Sequence, residues 1–177
     1  LGTLPGTAAE VLDDEVRRIL CPDKINTAQW FEVMETAHAV GFRTTATIMY
    51  GHVDRYEHWA RHLLRIRALQ DETRGLQAFI PLAFHPDNNQ MRKLPAPSAA
   101  DTLRVHAVAR LLLDNVDHIT AYWISCGVDV AQTAINPALY AKLNYDSVRD
   151  FAPVSLVAAI QNIMIVHNSV PATNVKE

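Results

Sequence analysis

Only two cysteines, Cys21 and Cys126, occur in the 177 residues, and they are far apart. They belong to no C-x-x-C or C-x-x-x-C group, so no disulfide framework is supported and two reduced thiols of a cytosolic protein are expected. Also absent is a C-x-x-x-C-x-x-C run, the spacing whose three thiolates hold three irons of a [4Fe–4S] cluster. No apolar run reaches the roughly 20 residues that span a bilayer, so no membrane partner is expected. Residues 1–15 have neither a basic stretch nor an apolar one of signal-peptide type, which points to a cytoplasmic protein. The net charge of −3 gives no basic footprint for nucleic acid. P-loop, G-x-G-x-x-G and G-x-S-x-G patterns are missing too.

What is present alternates helix and strand. Residues 8–20 carry acids early (Glu10, Asp13, Asp14) and bases late (Arg17, Arg18), the order that complements a helix dipole, and Pro22 follows as a stop. Asn26 with Gln29 forms a capping-box pattern ahead of a stripe of Trp30, Val33, Met34 and Ala37, and Gly41 stands where a C-cap glycine belongs. The β-branched run 44–50 reads as a strand. Asp54 is placed to cap a long helix reaching Thr73, with Trp59, Leu63, Ile66 and Leu69 or Gln70 at helical spacing and Gly75 at its end. Residues 76–82 form a second strand candidate, and 83–97 a long loop. Ser98 with Asp101 announces a helix over 99–115 with Leu103, Ala107 and Leu111 on one face. A third strand is expected over 118–124 and a short helix over 128–134.

Repeated βα units imply an α/β fold with a parallel sheet and right-handed connections. A closed eight-fold barrel needs roughly 250 residues. This chain holds three such units, or four at most, so a partial (β/α) barrel is expected. After Asn136 the rhythm breaks, and the nearly uncharged run 151–167 suits buried strands. We therefore divide the chain into residues 1–134 and a tail, 135–177, with the last ten residues polar and frayed.

Candidate site residues follow from strand ends, where active sites of such sheets form. His52, after the first long strand, either binds substrate or moves a proton, or else caps the next helix. His85, with Asn88, Asn89 and Lys93, stands in a polar loop suited to a sugar or carboxylate, or in an ordinary surface loop. Glu10 follows a glycine-containing turn and is either a ligand contact for a ribose or amino group, or a first-turn acid favoured by the helix dipole. His58 and His62 have the i,i+4 spacing of metal ligands, but no Glu completes an H-E-x-x-H pattern. A solvated pair is expected there, and no metal site. Asp71 and Glu72 point to different helix faces, and Asp146 and Asp150 are expected at the surface.

Four segments carry a resemblance: 4–18 (LPGTAAEVLDDEVRR), 21–24 (CPDK), 44–53 (TTATIMYGHV) and 62–73 (HLLRIRALQDET). Together they resemble the radical S-adenosylmethionine (SAM) enzymes of menaquinone and deazaflavin synthesis. The opening segment is most similar to the deazaflavin (FO) synthase subunit. Residues 76–94 and 111–123 look most like aminofutalosine synthase of menaquinone biosynthesis. The resemblance implies the C-terminal half of a radical SAM barrel, with SAM and a [4Fe–4S] cluster as cofactors, a small-molecule substrate, and an N-terminal half missing from this piece. Glu10, His52, His85, Asn88 and Lys93 are its implied SAM or substrate contacts. The expected function is that of an aminofutalosine synthase-like fragment, inactive alone. An FO synthase or dehypoxanthine futalosine cyclase-like fragment is the alternative. The tail, through 135–143, Tyr145-Asp146, 150–157 and 166–171, instead resembles the solute-binding proteins of tripartite tricarboxylate transporters. That likeness implies a fusion near residue 135 and, as a further alternative, a carboxylate-binding module.

Overall fold

A computed structural model describes residues 2–6 and 8–135, together with two short strands at 151–153 and 165–167. Strand β1 (Thr3–Leu4) is followed by helices α1 (Asp14–Leu20) and α2 (Thr27–Ala39), strand β2 (Arg43–Tyr50), helix α3 (Tyr56–Thr73) and strand β3 (Leu76–Ala83). Helix α4 (Ala99–Leu112), strand β4 (His118–Ile119) and the short helices α5 (Trp123–Cys126) and α6 (Val128–Ala134) complete this part. The four strands form one sheet in the order β1-β2-β3-β4, each parallel to its neighbour. Strands β5 (Phe151–Pro153) and β6 (Ile165–His167) pair antiparallel with each other. Apart from these two, the tail segments that resemble a solute-binding protein lie outside the described residues. No helix among the described residues is long and apolar enough to cross a membrane.

β2 and β3 are strands because β-branched and aromatic residues alternate across a pleat with two different faces. Ala46, Ile48 and Tyr50 are buried on one face, with Phe79 and Pro81 beside them in register. They share a core with Trp30 and Met34 of α2, Trp59, Leu63 and Ile66 of α3, and Val105 and Ala109 of α4. The other face carries Thr45, Thr47 and Met49 against Ala78, Ile80 and Leu82. The segment after β1 crosses it: the Gly6 N–H donates to Thr45 Oγ1 (3.0 Å) and Thr47 Oγ1 donates to the Gly6 carbonyl (3.2 Å).

Capping boxes form where the sequence announces them, at Asn26/Gln29 and Ser98/Asp101. Elsewhere tertiary contacts override the pattern. The helix expected from residue 8 starts only at Asp14, capped by Asp13, because Ala8 and Glu10 take φ of 66° and 45°. Asp54 does not cap α3. Its carboxylate accepts from the Gly51 and His52 N–H groups and from the Trp59 indole, while His58 Nδ1 accepts from the Arg55 N–H (2.9 Å). α3 ends on Arg74 in the left-handed region, and Gly75 serves a different purpose: a Cβ there would overlap the His38 ring. That ring bridges Thr73 Oγ1 and Thr44 Oγ1, both at 2.7 Å, joining α2, α3 and β2.

α4 turns Thr102, Val105, His106 and Ala109 inward and leaves Leu111 79% exposed, so the expected Leu103–Ala107–Leu111 stripe is not its buried face. On α2 Val33 is exposed, and the inward stripe is Thr27, Trp30, Met34 and Ala37. The third strand is cut to two residues. The Thr120 N–H donates to the Phe79 carbonyl (2.9 Å), and α5 begins at Trp123, inside the range expected to be extended.

Candidate functional site at the strand ends

The segment after β1 is fastened along its backbone. Five consecutive carbonyls, residues 8 to 12, each meet a donor. Arg17 donates to Ala8 (3.2 Å), Ala9 (2.5 Å) and Val11 (3.4 Å); the Met49 N–H donates to Glu10 (2.9 Å); Arg65 donates to Leu12. Arg17 also holds the Ile25 carbonyl (3.1 Å from Nε), although its own guanidinium is buried. The Leu12 N–H donates to His62 Nδ1 (2.9 Å). Polar backbone in a dry place must find partners, and here two arginines, a histidine and a strand supply them. Ala9, Val11 and Leu12 turn into the core. Glu10 is the one ionisable side chain among residues 8–12, and its carboxylate meets Lys24 Nζ at 2.7 Å. The Glu10 contact holds the Lys24 ammonium above its ordinary pKa.

Two cavities open near the strand ends. The larger, about 820 Å³, is lined by Leu20, Met49, Leu82, Phe84, His85, Asn89, Met91, Tyr122 and Ser125, among others. Its walls are mostly apolar, with a few polar groups such as His85, Asn89 and Ser125 among them. The smaller, about 510 Å³, lies between the turn after β2 and the Pro95–Pro97 segment, with Tyr56 and Trp59 in its wall.

The sequence-derived candidates divide among these places. His85 and Asn89 line the larger cavity, where the Asn89 amide donates to the His85 carbonyl (2.5 Å). His52 borders the smaller one. Its side chain is fully buried: Nε2 donates to the Met49 carbonyl (2.9 Å) and Nδ1 accepts from the Val53 N–H (2.7 Å). Burial pushes its pKa down, against the pull of Asp54 upward, so both ring nitrogens serve the turn in the neutral form. Glu10, Asn88 and Lys93 line neither cavity. Asn88 and Lys93 are exposed, and Asn88 takes a left-handed φ of 59° that shapes the loop. Met49, Phe84 and Tyr122 are cavity residues that sequence reading missed. Phe84 directly follows a strand, which is the one signal that could have found it.

His58 and His62 are not solvated. They are 2% and 0% exposed. Asp13, Glu15 and His58 bring ligand-type atoms within 4.8 Å of one another. A cation does not suit them, however. His58 Nδ1 accepts a backbone N–H, so in the neutral ring Nε2 carries the proton and has no lone pair to give. Arg61, 2.7 Å from Asp13, adds a positive charge at the same place.

His62 carries a pH signature. Complete burial pushes its pKa down to about 3. A folded pKa below the unfolded value near 6.5 means stability that is complete above about pH 6.5 and is lost as pH falls toward 3. Protonation would place a hydrogen on Nδ1, where the Leu12 N–H now donates. Urea midpoints measured between pH 8 and 4 should fall for the wild type and fall less steeply for His62→Gln. Equal slopes would show that this imidazole does not stay neutral.

The class is a parallel α/β unit with a largely apolar cavity at its strand ends. Residues 73–144 match the family model described as the CofH/MqnC C-terminal region. The chain is 49% identical over 138 residues to the 5-amino-6-(D-ribitylamino)uracil–L-tyrosine 4-hydroxyphenyl transferase of Archaeoglobus fulgidus, covering 77% of this chain and 40% of that protein. It is 45% identical over 140 residues to the enzyme of the same name from Methanothermobacter thermautotrophicus, covering 76% and 38%. It is 44% identical over 141 residues to the FO synthase of Mycobacterium leprae, covering 77% and 16%. The chain thus spans about 40% of the length of the first two relatives.

Proposed function

We propose that this chain is the C-terminal part of a radical SAM enzyme of the FO synthase type, one that transfers a 4-hydroxyphenyl group from L-tyrosine. The observation that carries the reading is the 49% identity over 138 residues to a transferase of that name. The three relatives above carry FO-synthase or tyrosine-transferase names. They favour the deazaflavin alternative over the aminofutalosine synthase that residues 76–94 and 111–123 suggested. A parallel sheet in sequential strand order, with helices α2, α3 and α4 packed side by side, is what an arc of a (β/α) barrel looks like, and it supports that architecture.

The cluster does not fit the residues present. Three thiolates are needed, and the sequence has two cysteines. Cys21 is buried at the end of α1 and Cys126 sits in α5, and burial raises the pKa of both thiols. Opening SAM therefore falls to a cluster-bearing part outside this chain. What this chain contributes is the cavity: Phe84, Met49 and Tyr122 offer an apolar and aromatic body, and His85 and Asn89 a polar edge.

A chimera tests the reading. Residues 1–134 replace the matching part of the Archaeoglobus fulgidus relative, and the product is loaded with its cluster. Transfer from L-tyrosine to 5-amino-6-(D-ribitylamino)uracil is expected from the chimera and none from the isolated chain. A folded, cluster-loaded chimera that transfers nothing rejects the proposal.

A further inference from the structure

The connection from β3 to α4, residues 84–98, has no helix or strand of its own. Ordered connections of about 15 residues without one are uncommon in a compact domain, and they are typically lids or binding loops. Both ends of this one are fixed. The Phe84 N–H donates to the Tyr50 carbonyl (2.9 Å), and Phe84 is buried. Pro97 rests on Gly51, where a Cβ would lie 2.5 Å from the Pro97 Cβ, and Ser98 caps α4. The stretch between these points is bonded to itself. The Asn89 amide donates to the His85 carbonyl (2.5 Å), its oxygen accepts from the Met91 N–H (2.7 Å), and the Leu94 N–H donates to the Met91 carbonyl (2.9 Å). Among the described residues, no hydrogen bond joins 85–96 to any other part of the chain, and none of these residues is buried.

A stretch held in this way can swing without breaking a hydrogen bond to its surroundings, so local opening is easy. It also stands at the cavity. His85, Asn89, Gln90 and Met91 line the larger cavity, and Leu20, Met49 and Tyr122 bring α1, β2 and the start of α5 to the same space. We propose that residues 85–96 are a lid, which moves as one body between the fixed points Phe84 and Pro97 and closes over a ligand held in the larger cavity. Met91 is the side chain that the lid lays on an apolar or aromatic ligand, and Asn89 is the tie that keeps the lid in one piece. Closure of this kind shields the bound ligand from water. The proposal rests on the reading that the larger cavity is the binding site.

The test titrates the full chain with two probes: L-tyrosine, and p-cresol, which keeps the hydroxyphenyl ring alone. Nuclear magnetic resonance of the Phe84 and Tyr122 rings, both in the cavity wall, reports binding. Trypsin cleavage after Arg92 and Lys93, both exposed on the lid, reports closure. A probe that shifts the ring signals should slow cleavage at these two sites by about fivefold or more at saturation, and leave cleavage elsewhere unchanged. Asn89→Ala unties the lid, so cleavage without probe should speed up by about threefold or more, and the probe should no longer slow it. Met91→Ala keeps the Asn89 tie, which runs to the Met91 backbone. Its cleavage without probe should match the wild type, while its affinity for p-cresol should fall by about three- to tenfold. Shifted ring signals with unchanged cleavage after Arg92 and Lys93, or slowing spread equally over all sites, would overturn the lid and leave the cavity as the binding site. No ring shift with either probe would overturn both.

Discussion

Replacing Arg17 with alanine should cost about 3–5 kcal/mol of folding stability, because several buried carbonyls lose their donor together. Arg17 is 3% exposed and donates to the carbonyls of Ala8, Ala9, Val11 and Ile25. Alanine strips all four of their Arg17 bonds at once. Each stranded buried carbonyl costs about 1–3 kcal/mol unless the segment moves to reach water. The moves open to it are limited, since Ala9, Val11 and Leu12 on the same segment are fully buried. Arg17→Lys should recover only part of the loss, because a single ammonium cannot copy a planar fork that serves Ala8, Ala9, Val11 and Ile25 together. Arg17→Met fills the space without donating, and it should resemble alanine if the hydrogen bonds, not the packing, carry the effect. Urea unfolding gives the stability, and hydrogen exchange at the Met49 amide, which donates to Glu10, reports whether the segment has lifted. A loss below about 1 kcal/mol for Arg17→Ala would place it among ordinary surface substitutions and refute this role.

That segment also explains where sequence reading succeeded and where it did not. β2 was legible because β-branched residues cluster in 44–50, and β3 because 76–82 is a mostly apolar run; no charged residue interrupts either. Local chemistry was legible too, as at Asn26/Gln29 and Ser98/Asp101, where both partners lie within one turn. Residues 8–13 were not. Their acids precede bases as in a helix, and nothing local reveals that Arg17 folds back on their carbonyls. The role of Arg17 depends on a segment 6 to 9 residues earlier in the chain and on Ile25. The histidines failed for a related reason. His62 finds its partner 50 residues away at Leu12, whose N–H donates to Nδ1 inside the core. Stripe assignment on α4 failed because Ala, Val and Leu occur on more than one face, so the spacing admits several inward directions. For the site, the strand ends placed His52 and His85, but no periodicity marks Tyr122 as a wall of the same cavity as Met49.

Gly6→Ala is the second substitution with a large expected effect, and it acts on the same segment from the other end. A Cβ at Gly6 would overlap the Thr45 carbonyl oxygen and lie 2.5 Å from its carbon and 3.0 Å from the Ala46 Cα. All three are backbone atoms of β2, so no flexible side chain can yield. The residue is also held in place, since its N–H donates to Thr45 Oγ1 and its carbonyl accepts from Thr47 Oγ1. Moving Gly6 away from β2 would also pull on β1, which pairs with β2 through only Thr3 and Leu4. We expect a loss of about 3 kcal/mol, at the upper end for overpacking, together with loss of exchange protection at the Met49 amide. Gly2→Ala is the matched control, as a Cβ there meets nothing within 4 Å, and it should stay within about 0.5 kcal/mol of wild type. The decisive comparison is the double variant. If Gly6 and Arg17 hold one segment from opposite ends, releasing it once forfeits most of what both provide, so Gly6→Ala with Arg17→Ala should cost clearly less than the sum of the two. Strict additivity would mean that the two residues stabilise separate structures.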